Sequence, residues 1–249
     1  MMRAVVAAAA LALSLPTAAH AAEQPAVVPQ VLPMGAAVSA LPLAVEDRTG
    51  YQRTSFKHWN AGDIPADGCN TRAEVLLSEA VGYPQIGPGC VLTGGVWWSY
   101  YDDTTVTNAS GLDIDHMVPL AEAWDSGASS WTAKRREAYA NDQGQLSSLV
   151  AVTARSNRSK ADQDPAEWLP PAADALCRYG AEWTATKLRW GLAVDGAERE
   201  RLLDFAAGCG GTEVEFPPRR RSETRSGSGC CAPRTEALVS MRLLSRPQG

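Results

Sequence analysis

Histidine is scarce in this sequence, which limits where an imidazole could act. The chain has three, His20, His58 and His116, and His20 falls in an N-terminal segment that we expect to be removed. A zinc site of the H-E-x-x-H type places two histidines on one helix face, and these residues cannot form one. A neutral imidazole accepts a proton from water near pH 7. General base chemistry would therefore fall to His58 or His116.

His116 lies in the more distinctive of the two settings. A carboxylate, Asp115, immediately precedes it, and Pro119 follows three residues later. Neighbouring side chains of an extended strand point to opposite faces, so this pair could meet one ligand only where the strand bends. Pro119 would end the strand and supply that bend. An ordinary polar strand end would explain the same residues. His58 lies among aromatic residues, where a packed or surface histidine is the more usual role.

A second polar segment begins 41 residues after His116. It reads Asn157-Arg158-Ser159-Lys160, with Asp162 and Pro165 beyond it. Together with the first segment it resembles the motif of the HNH nucleases, in the form D-H-x-x-P, then N, then N-R-x-K-x-D. Secreted bacterial HNH proteins and GmrSD-type restriction enzymes carry this form. The resemblance extends over residues 51–209.

The resemblance implies an α+β fold with a ββα-metal (HNH) core that holds one divalent cation. In this family, the residue at the position of His116 is the general base, and the one at Asp115 is a metal ligand. Asn157 stands at the second ligand position, and Asn141 at the position of the intermediate Asn that orients the site. Because carboxylate and amide oxygens suit hard cations, Mg²⁺ or a similar ion such as Mn²⁺ is expected.

The chemistry of phosphodiester hydrolysis agrees with these residue types. The reaction needs an activated water, a cation beside the phosphate, and relief of charge on the departing oxygen. Arg155, Arg158 and Lys160 are expected to bind flanking phosphates, although an ordinary solvated helix face would explain the same three residues. The expected partner is a nucleic acid substrate, DNA in our interpretation.

The elements that must position these residues follow from periodicity. Residues 112–116 alternate as a strand, and the apolar run 146–153 is predicted to be its partner. A short helix would then carry residues 157–160 toward the pair. The Gly94-Gly95 pair predicts a tight turn between two strands within residues 91–101. Additional helices are predicted at residues 72–80, 120–124, 132–141, 172–192 and 197–207.

Six cysteines are spread over the chain. In an oxidising compartment their usual state is paired, and we expect Cys69 with Cys90 and Cys177 with Cys209. Four cysteines allow three connectivities, and the sequence leaves the other two open. Cys230 and Cys231 are adjacent and lie in a segment of different composition. The spacing of the six residues does not fit a zinc ribbon.

The two ends of the chain differ in composition from its middle. Residues 1–21 have one early positive charge, an apolar run and small residues before a cleavage point, as in a signal peptide; the run of about 12 residues is too short for a membrane span. Residues 22–44, rich in Pro, Ala and Val, predict a flexible leader. We expect a nuclease domain at residues 45–211 and a disordered Arg-, Ser- and Gly-rich tail at residues 212–249.

These observations favour a secreted, monomeric endonuclease with no membrane span in its mature form. The formal net charge of −5 argues against gripping nucleic acid by broad electrostatics, but not against binding through a cation and a few local Arg and Lys residues. One alternative is a non-catalytic exported binding protein, for instance for cell-wall polysaccharide, that uses some of the eight tryptophans. A nuclease toxin is another, although we find no delivery domain.

Overall fold

The computed structural model describes residues 28–218. The predicted signal peptide, Cys230, Cys231 and most of the predicted tail lie outside the described residues. Within this range the chain has an α+β fold, as predicted. None of the helices in residues 28–218 has both the length and the apolar character needed to cross a membrane.

The β-strands have three to five residues each, and most of the α-helices are short. The helices are α1 Met34–Ser39, α2 Thr71–Ser78, α3 Leu120–Asp125, α4 Ala133–Ala140, α5 Ala154–Lys160, α6 Leu176–Trp190 and α7 Gly196–Gly208. The strands are β1 Gln30–Pro33, β2 Gln85–Gly87, β3 Val91–Thr93, β4 Trp97–Ser99, β5 Thr104–Val106, β6 Leu112–His116, β7 Leu149–Thr153 and β8 Glu213–Phe216. They form four antiparallel two-stranded sheets with the pairs β1–β8, β2–β3, β4–β5 and β6–β7.

The β6–β7 pair lies at the centre and carries the polar motif. Asp115 pairs with Val150 and His116 with Leu149. The helix α5 starts directly after β7, and the Thr153 side chain caps it by accepting a hydrogen bond from the backbone N–H of Ser156. This cap satisfies one of the helix's first free N–H groups. The short strand-to-helix connection therefore brings the second polar segment back beside the first.

Both faces of the β6–β7 pair are buried. Leu112 and Ile114 pack with Leu149 and Ala151 against α2 and Trp97. On the opposite face, Val150 and Val152 join a larger core built mainly on α1, α6 and α7. Burial on both sides fixes the register, because a slip by one residue would move polar side chains into an apolar layer.

The large core requires close helix packing around α6. Trp183, Tyr179 and Trp190 of this helix are fully buried. Gly180 allows α1 and α7 to approach, since a Cβ atom there would lie 2.7 Å from Met34 and 2.6 Å from Phe205. Real Cβ contacts are longer than this, so the side chains of Met34 and Phe205 would have to shift to admit a larger residue.

The folded unit is longer at both ends than residues 45–211. The predicted leader, residues 22–44, includes β1 and α1, and Met34 and Val38 are buried in the large core. The predicted tail begins with β8, which pairs with β1 and buries Val214 and Phe216. The prediction was wrong for these segments because each finds its partner at the other end of the domain. Local composition does not report such a pairing.

The strand pair expected within residues 91–101 was also wrong. Gly94 and Gly95 separate β3 from β4, but these two strands belong to different sheets. β3 pairs backward with β2, and β4 pairs forward with β5. Both glycines have positive φ angles, 68° and 91°, so they do form a turn. The turn redirects the chain between sheets instead of closing a hairpin.

Two disulfides join elements of the fold. Cys69 and Cys90 bond across 21 residues and link the segment before α2 to the start of β3. Cys177 and Cys209 bond across 32 residues and link the start of α6 to the end of α7. This is the connectivity that the sequence favoured among the three possible ones.

Candidate active site

A groove of about 430 Å³ opens where β6 ends. Tyr51 and Arg53 contribute from one side, the start of α3 from another, and α5 from the third. The groove brings together four of the residues predicted for the site, Asp115, His116, Asn157 and Arg158. The other three, Asn141, Arg155 and Lys160, do not line it.

His116 is held in one tautomer. Its Nε2 atom lies 3.0 Å from the carbonyl oxygen of Ala140. A carbonyl can only accept, so Nε2 carries the proton and Nδ1 keeps its lone pair. Burial lowers the pKa of His116 to about 3, against a smaller opposing effect of the Ala140 carbonyl. The imidazole is therefore neutral at pH 7, with its lone pair on Nδ1.

Aromatic rings surround the His116 side chain. Trp59 stacks at 5.5 Å between ring centroids, with 27° between the planes. Tyr139 lies at 6.4 Å with an angle of 24°, and His58 meets the ring edge-on at 6.0 Å. Sequence reasoning treated His58 as a packed or surface histidine and gave neither Trp59 nor Tyr139 a role in the site. No local pattern would have indicated them, because they come from separate parts of the chain.

Asp115 is almost fully buried and is held by two donors. The Tyr101 hydroxyl donates to its Oδ2 atom at 2.7 Å, and the Lys160 ammonium donates to the same atom at 2.5 Å. Both bonds fall on Oδ2, which leaves Oδ1 for a ligand in the groove. Tyr101 was missed by sequence reasoning, since it lies in a separate sheet region before β5.

Lys160 is not placed to bind a flanking phosphate, which corrects the prediction. Its side chain is 0% exposed, and besides Asp115 it donates to the backbone carbonyls of His116 and Met117 at 3.0 and 2.9 Å. Asn157 and Lys160 are three residues apart and so share a face of α5, the face toward β6. The sequence spacing could not show that this face is buried.

The Asp115 and Lys160 pair is ionised in this geometry. Burial raises the pKa of Asp115 and lowers the pKa of Lys160. Their mutual attraction opposes both shifts. The Nζ atom donates three hydrogen bonds, which requires the ammonium form. The pair therefore fixes the end of β6 and the orientation of the Asp115 carboxylate.

Asn157 and Arg158 line the groove, and both also bind Asp113. The Asn157 amide nitrogen and the Arg158 Nε atom both donate to Oδ2 of Asp113, each at 3.3 Å. The amide oxygen of Asn157 is left for another partner. The Arg158 side chain is 73% exposed, so it can leave Asp113 for a phosphate. Arg155 instead lines a separate groove with Thr104 and Trp168.

Asn141 contacts neither His116 nor Asp115. Its oxygen accepts from the backbone N–H of Asn60 and from Thr71, at 2.9 and 3.1 Å. Its nitrogen donates to the carbonyls of Lys57 and Glu137, at 2.9 and 2.8 Å. Asn141 thus anchors the segment of residues 57–60, which we call the 57–60 loop. Its side chain is linked to the rings around His116 through this loop.

The donor atoms of the groove fit a hard divalent cation. Asp115 offers a carboxylate oxygen and Asn157 an amide oxygen, the ligand types that Mg²⁺ prefers. Elsewhere in the described residues, two clusters of three carboxylates have oxygen atoms within 4.8 Å of one another. One cluster consists of Glu46, Asp164 and Glu198, and the other of Glu46, Glu122 and Asp125. Neither group includes a residue of the groove, and buried Lys187 already pairs with Glu122 and Glu198.

Comparison with known protein families finds a match over the segment that carries the polar motif. Residues 90–205 match the family described as GmrSD restriction endonucleases, C-terminal domain. The matched range includes β6, β7 and α5, and with them Asp115, His116 and Asn157. No solved structure matches the chain.

A fungal relative extends the similarity. A protein of Arthroderma benhamiae, which carries the name "Uncharacterized secreted protein", is 42% identical over 161 residues. The aligned part is 64% of this chain and 76% of the fungal protein. The chain therefore belongs to the same family as this fungal protein, and its residues 90–205 match the C-terminal domain of the GmrSD restriction endonucleases.

Proposed function

We propose that this protein is an exported, metal-dependent endonuclease of the HNH type that hydrolyses phosphodiester bonds of DNA. One observation carries the proposal. A groove lined mainly by residues of the range that matches a restriction endonuclease domain brings a neutral imidazole beside two side chains with oxygen donor atoms. We assign the base to His116 and the cation ligands to Asp115 and Asn157. These are the parts that hydrolysis of a phosphodiester requires.

The hydrogen bond to Ala140 sets the tautomer of His116 that the proposed base needs. With the proton of His116 held on Nε2 by Ala140, Nδ1 takes the proton of a water molecule as that water attacks phosphorus. The Tyr101 and Lys160 bonds orient the Asp115 carboxylate. Asn157 is oriented by its bond to Asp113.

Asp115 and Asn157 would hold the divalent cation. When bound, such an ion neutralises charge on the phosphate and on the departing oxygen. Arg158 and Arg53, which both line the groove, would bind phosphates that flank the scissile bond. Contacts of this kind hold a nucleic acid in register without reading its sequence.

Export is supported by three observations of different kinds. The fungal relative is named as secreted. The fold contains two disulfides, which persist in oxidising compartments. The first 21 residues have the composition of a signal peptide.

The test is cleavage of supercoiled plasmid by the purified protein with Mg²⁺, and with EDTA in its place. We expect nicked and then linear DNA with Mg²⁺ and none with EDTA. His116→Ala, purified in the same way, controls for a contaminating nuclease. An intact plasmid with wild-type protein over a range of Mg²⁺ and Mn²⁺ concentrations would contradict the proposal. Binding of polysaccharide without cleavage would then favour the non-catalytic alternative.

A further inference from the structure

Trp59 has an unusual backbone conformation at the edge of the site. Its φ angle is +60°, in the left-handed region that residues with a large side chain rarely adopt. Such conformations persist only where the surrounding structure imposes them, and they cluster at functional sites. The consequence here is that the Trp59 ring stacks on the imidazole of His116.

The 57–60 loop is anchored on both sides of Trp59. Before it, the Lys57 carbonyl accepts from Asn141, and the Lys57 ammonium binds Glu137 at 2.9 Å. After it, the Asn60 backbone N–H donates to Asn141, and its side chain donates to Glu137 at 2.9 Å. Four bonds to two residues at the end of α4 thus impose the strained conformation.

The same end of α4 holds the His116 ring directly. Ala140, which precedes Asn141, supplies the carbonyl that binds Nε2. One hydrogen bond fixes the position of Nε2, but the imidazole ring can still rotate about that bond at little energetic cost. A ring stacked against the imidazole restricts the rotation, and with it the direction of the Nδ1 lone pair.

We propose that Trp59 is a positioning residue for His116, and that Asn141 acts on the imidazole through Trp59. This inference rests on the proposed function, since it assumes that His116 is the base. It explains why Asn141 lies at a position that the family resemblance associates with orienting the site, although it touches neither His116 nor Asp115.

The kinetic test compares Trp59→Ala, Trp59→Leu, Trp59→Phe and Asn141→Ala in cleavage of a short duplex at saturating Mg²⁺. Misplacement of a reacting group by about 1 Å costs on the order of 100-fold. We expect kcat to fall by about 10- to 100-fold in Trp59→Ala, Trp59→Leu and Asn141→Ala, with KM and Mg²⁺ dependence unchanged. Trp59→Phe keeps a ring and should recover most of the rate.

Two further comparisons separate positioning from loss of structure. The double variant Trp59→Ala with Asn141→Ala should be no slower than the worse single variant, because both act along one route. Trp98→Ala removes a tryptophan that is 46% exposed and lies outside the groove, and it should keep the wild-type rate.

NMR of the His116 ring gives a readout that does not depend on cleavage. Stacking under an indole shifts the imidazole ring protons, and we expect this shift to be lost in Trp59→Leu and retained in Trp59→Phe. Wild-type kcat in Trp59→Leu, or an unchanged His116 spectrum in that variant, would overturn the inference. Inactivity of the wild type itself would contradict the proposed function instead, and the ring shifts would still report whether the Trp59 indole stacks on His116.

Discussion

At the scale of single residues, the proposed roles of His116 and Asn157 differ, and their removal should have different effects. His116→Ala removes the proposed base but neither proposed metal ligand, so cation binding should persist while cleavage falls by about 10² to 10⁴-fold. Asn157→Ala removes a proposed oxygen ligand, and additional Mg²⁺ should restore part of its activity. Plasmid nicking against Mg²⁺ concentration measures both. Near wild-type nicking by His116→Ala at every concentration would refute the assignment.

Lys160 and Arg158, two residues apart on α5, should differ in how much they contribute to stability. Lys160→Met leaves Asp115 as a buried charge without its ion-pair partner, which typically costs about 3 to 5 kcal/mol of unfolding free energy, and it should also slow cleavage because Lys160 orients the Asp115 carboxylate. Arg158→Met breaks only an exposed pair with Asp113, worth about 1 kcal/mol or less, and removes the proposed phosphate contact. Urea unfolding and DNA cleavage of both variants test this. Equal stability of the two would show that the Lys160 pair is not structural.

The site could be predicted in part from the sequence. Asp115, His116, Asn157 and Arg158 line one groove because a short connection returns α5 to the end of β6. The position of Lys160 depends on which face of α5 is buried, and this is a property of packing. The positions of Tyr101 and Trp59 depend on contacts between distant segments, which no spacing reports.

At the scale of elements, a side chain accepts a backbone hydrogen bond from the outer edge of β7. The backbone N–H of Ala151 donates to Oε2 of Glu79 at 2.9 Å. Burial raises the pKa of Glu79 from its ordinary value of 4.5 to about 7, against a smaller opposing effect of the Ala151 bond. The folded protein therefore holds this proton more tightly than the unfolded chain. The resulting stabilisation is complete below pH 4.5 and is lost as the pH rises toward 7.

Glu79→Gln keeps an acceptor for Ala151 but cannot ionise. We expect the unfolding free energy of the wild type to fall by about 1 to 3 kcal/mol relative to that of this variant as the pH rises from about 4.5 to about 7. Each pKa unit is worth about 1.4 kcal/mol. Chemical denaturation of both proteins across this pH range measures the difference. A constant difference would show that Glu79 does not titrate in the way its burial suggests.

Helices were easier to predict than strand partners. The ranges for α3, α4, α6 and α7 agree with the structure to within a few residues, because each has an amphipathic or capped pattern of its own. The strands β1 and β8 have four residues each, too few to show a period. Their pairing joins segments that are about 180 residues apart, and it appears only when the whole domain is assembled.

At the scale of the whole molecule, the two disulfides should matter for stability. They close loops of 21 and 32 residues, and a loop of this size contributes about 3 kcal/mol in the chain-entropy model. We expect the melting temperature to fall under strong reductant. The variants Cys69→Ser with Cys90→Ser, and Cys177→Ser with Cys209→Ser, assign the loss to each bond. Unchanged melting after full reduction, checked by mass, would contradict this.

The C-terminal boundary of the fold can be tested with two truncated chains. A chain ending at Gly211 lacks β8 and exposes the core where Val214 and Phe216 are buried. It should be about 3 to 6 kcal/mol less stable than a chain ending at Pro218, because burying each such side chain contributes about 1.5 to 3 kcal/mol. Urea unfolding of the two chains measures the difference. Equal stability would place the boundary at Gly211, as the sequence composition suggested.

The β1–β8 pair also determines how the fold would respond to mechanical force. Gln30 faces Phe216, so the polypeptide enters and leaves the fold at adjacent points. A pull applied between these two points would act across the strands and break their hydrogen bonds one at a time. This geometry needs less force than breaking all of the bonds at once. On the C-terminal side the rupture would then reach Cys209, whose covalent bond to Cys177 on α6 bears the load. The strand that completes the core is thus the first part to yield, and the disulfide behind it limits how far the opening spreads.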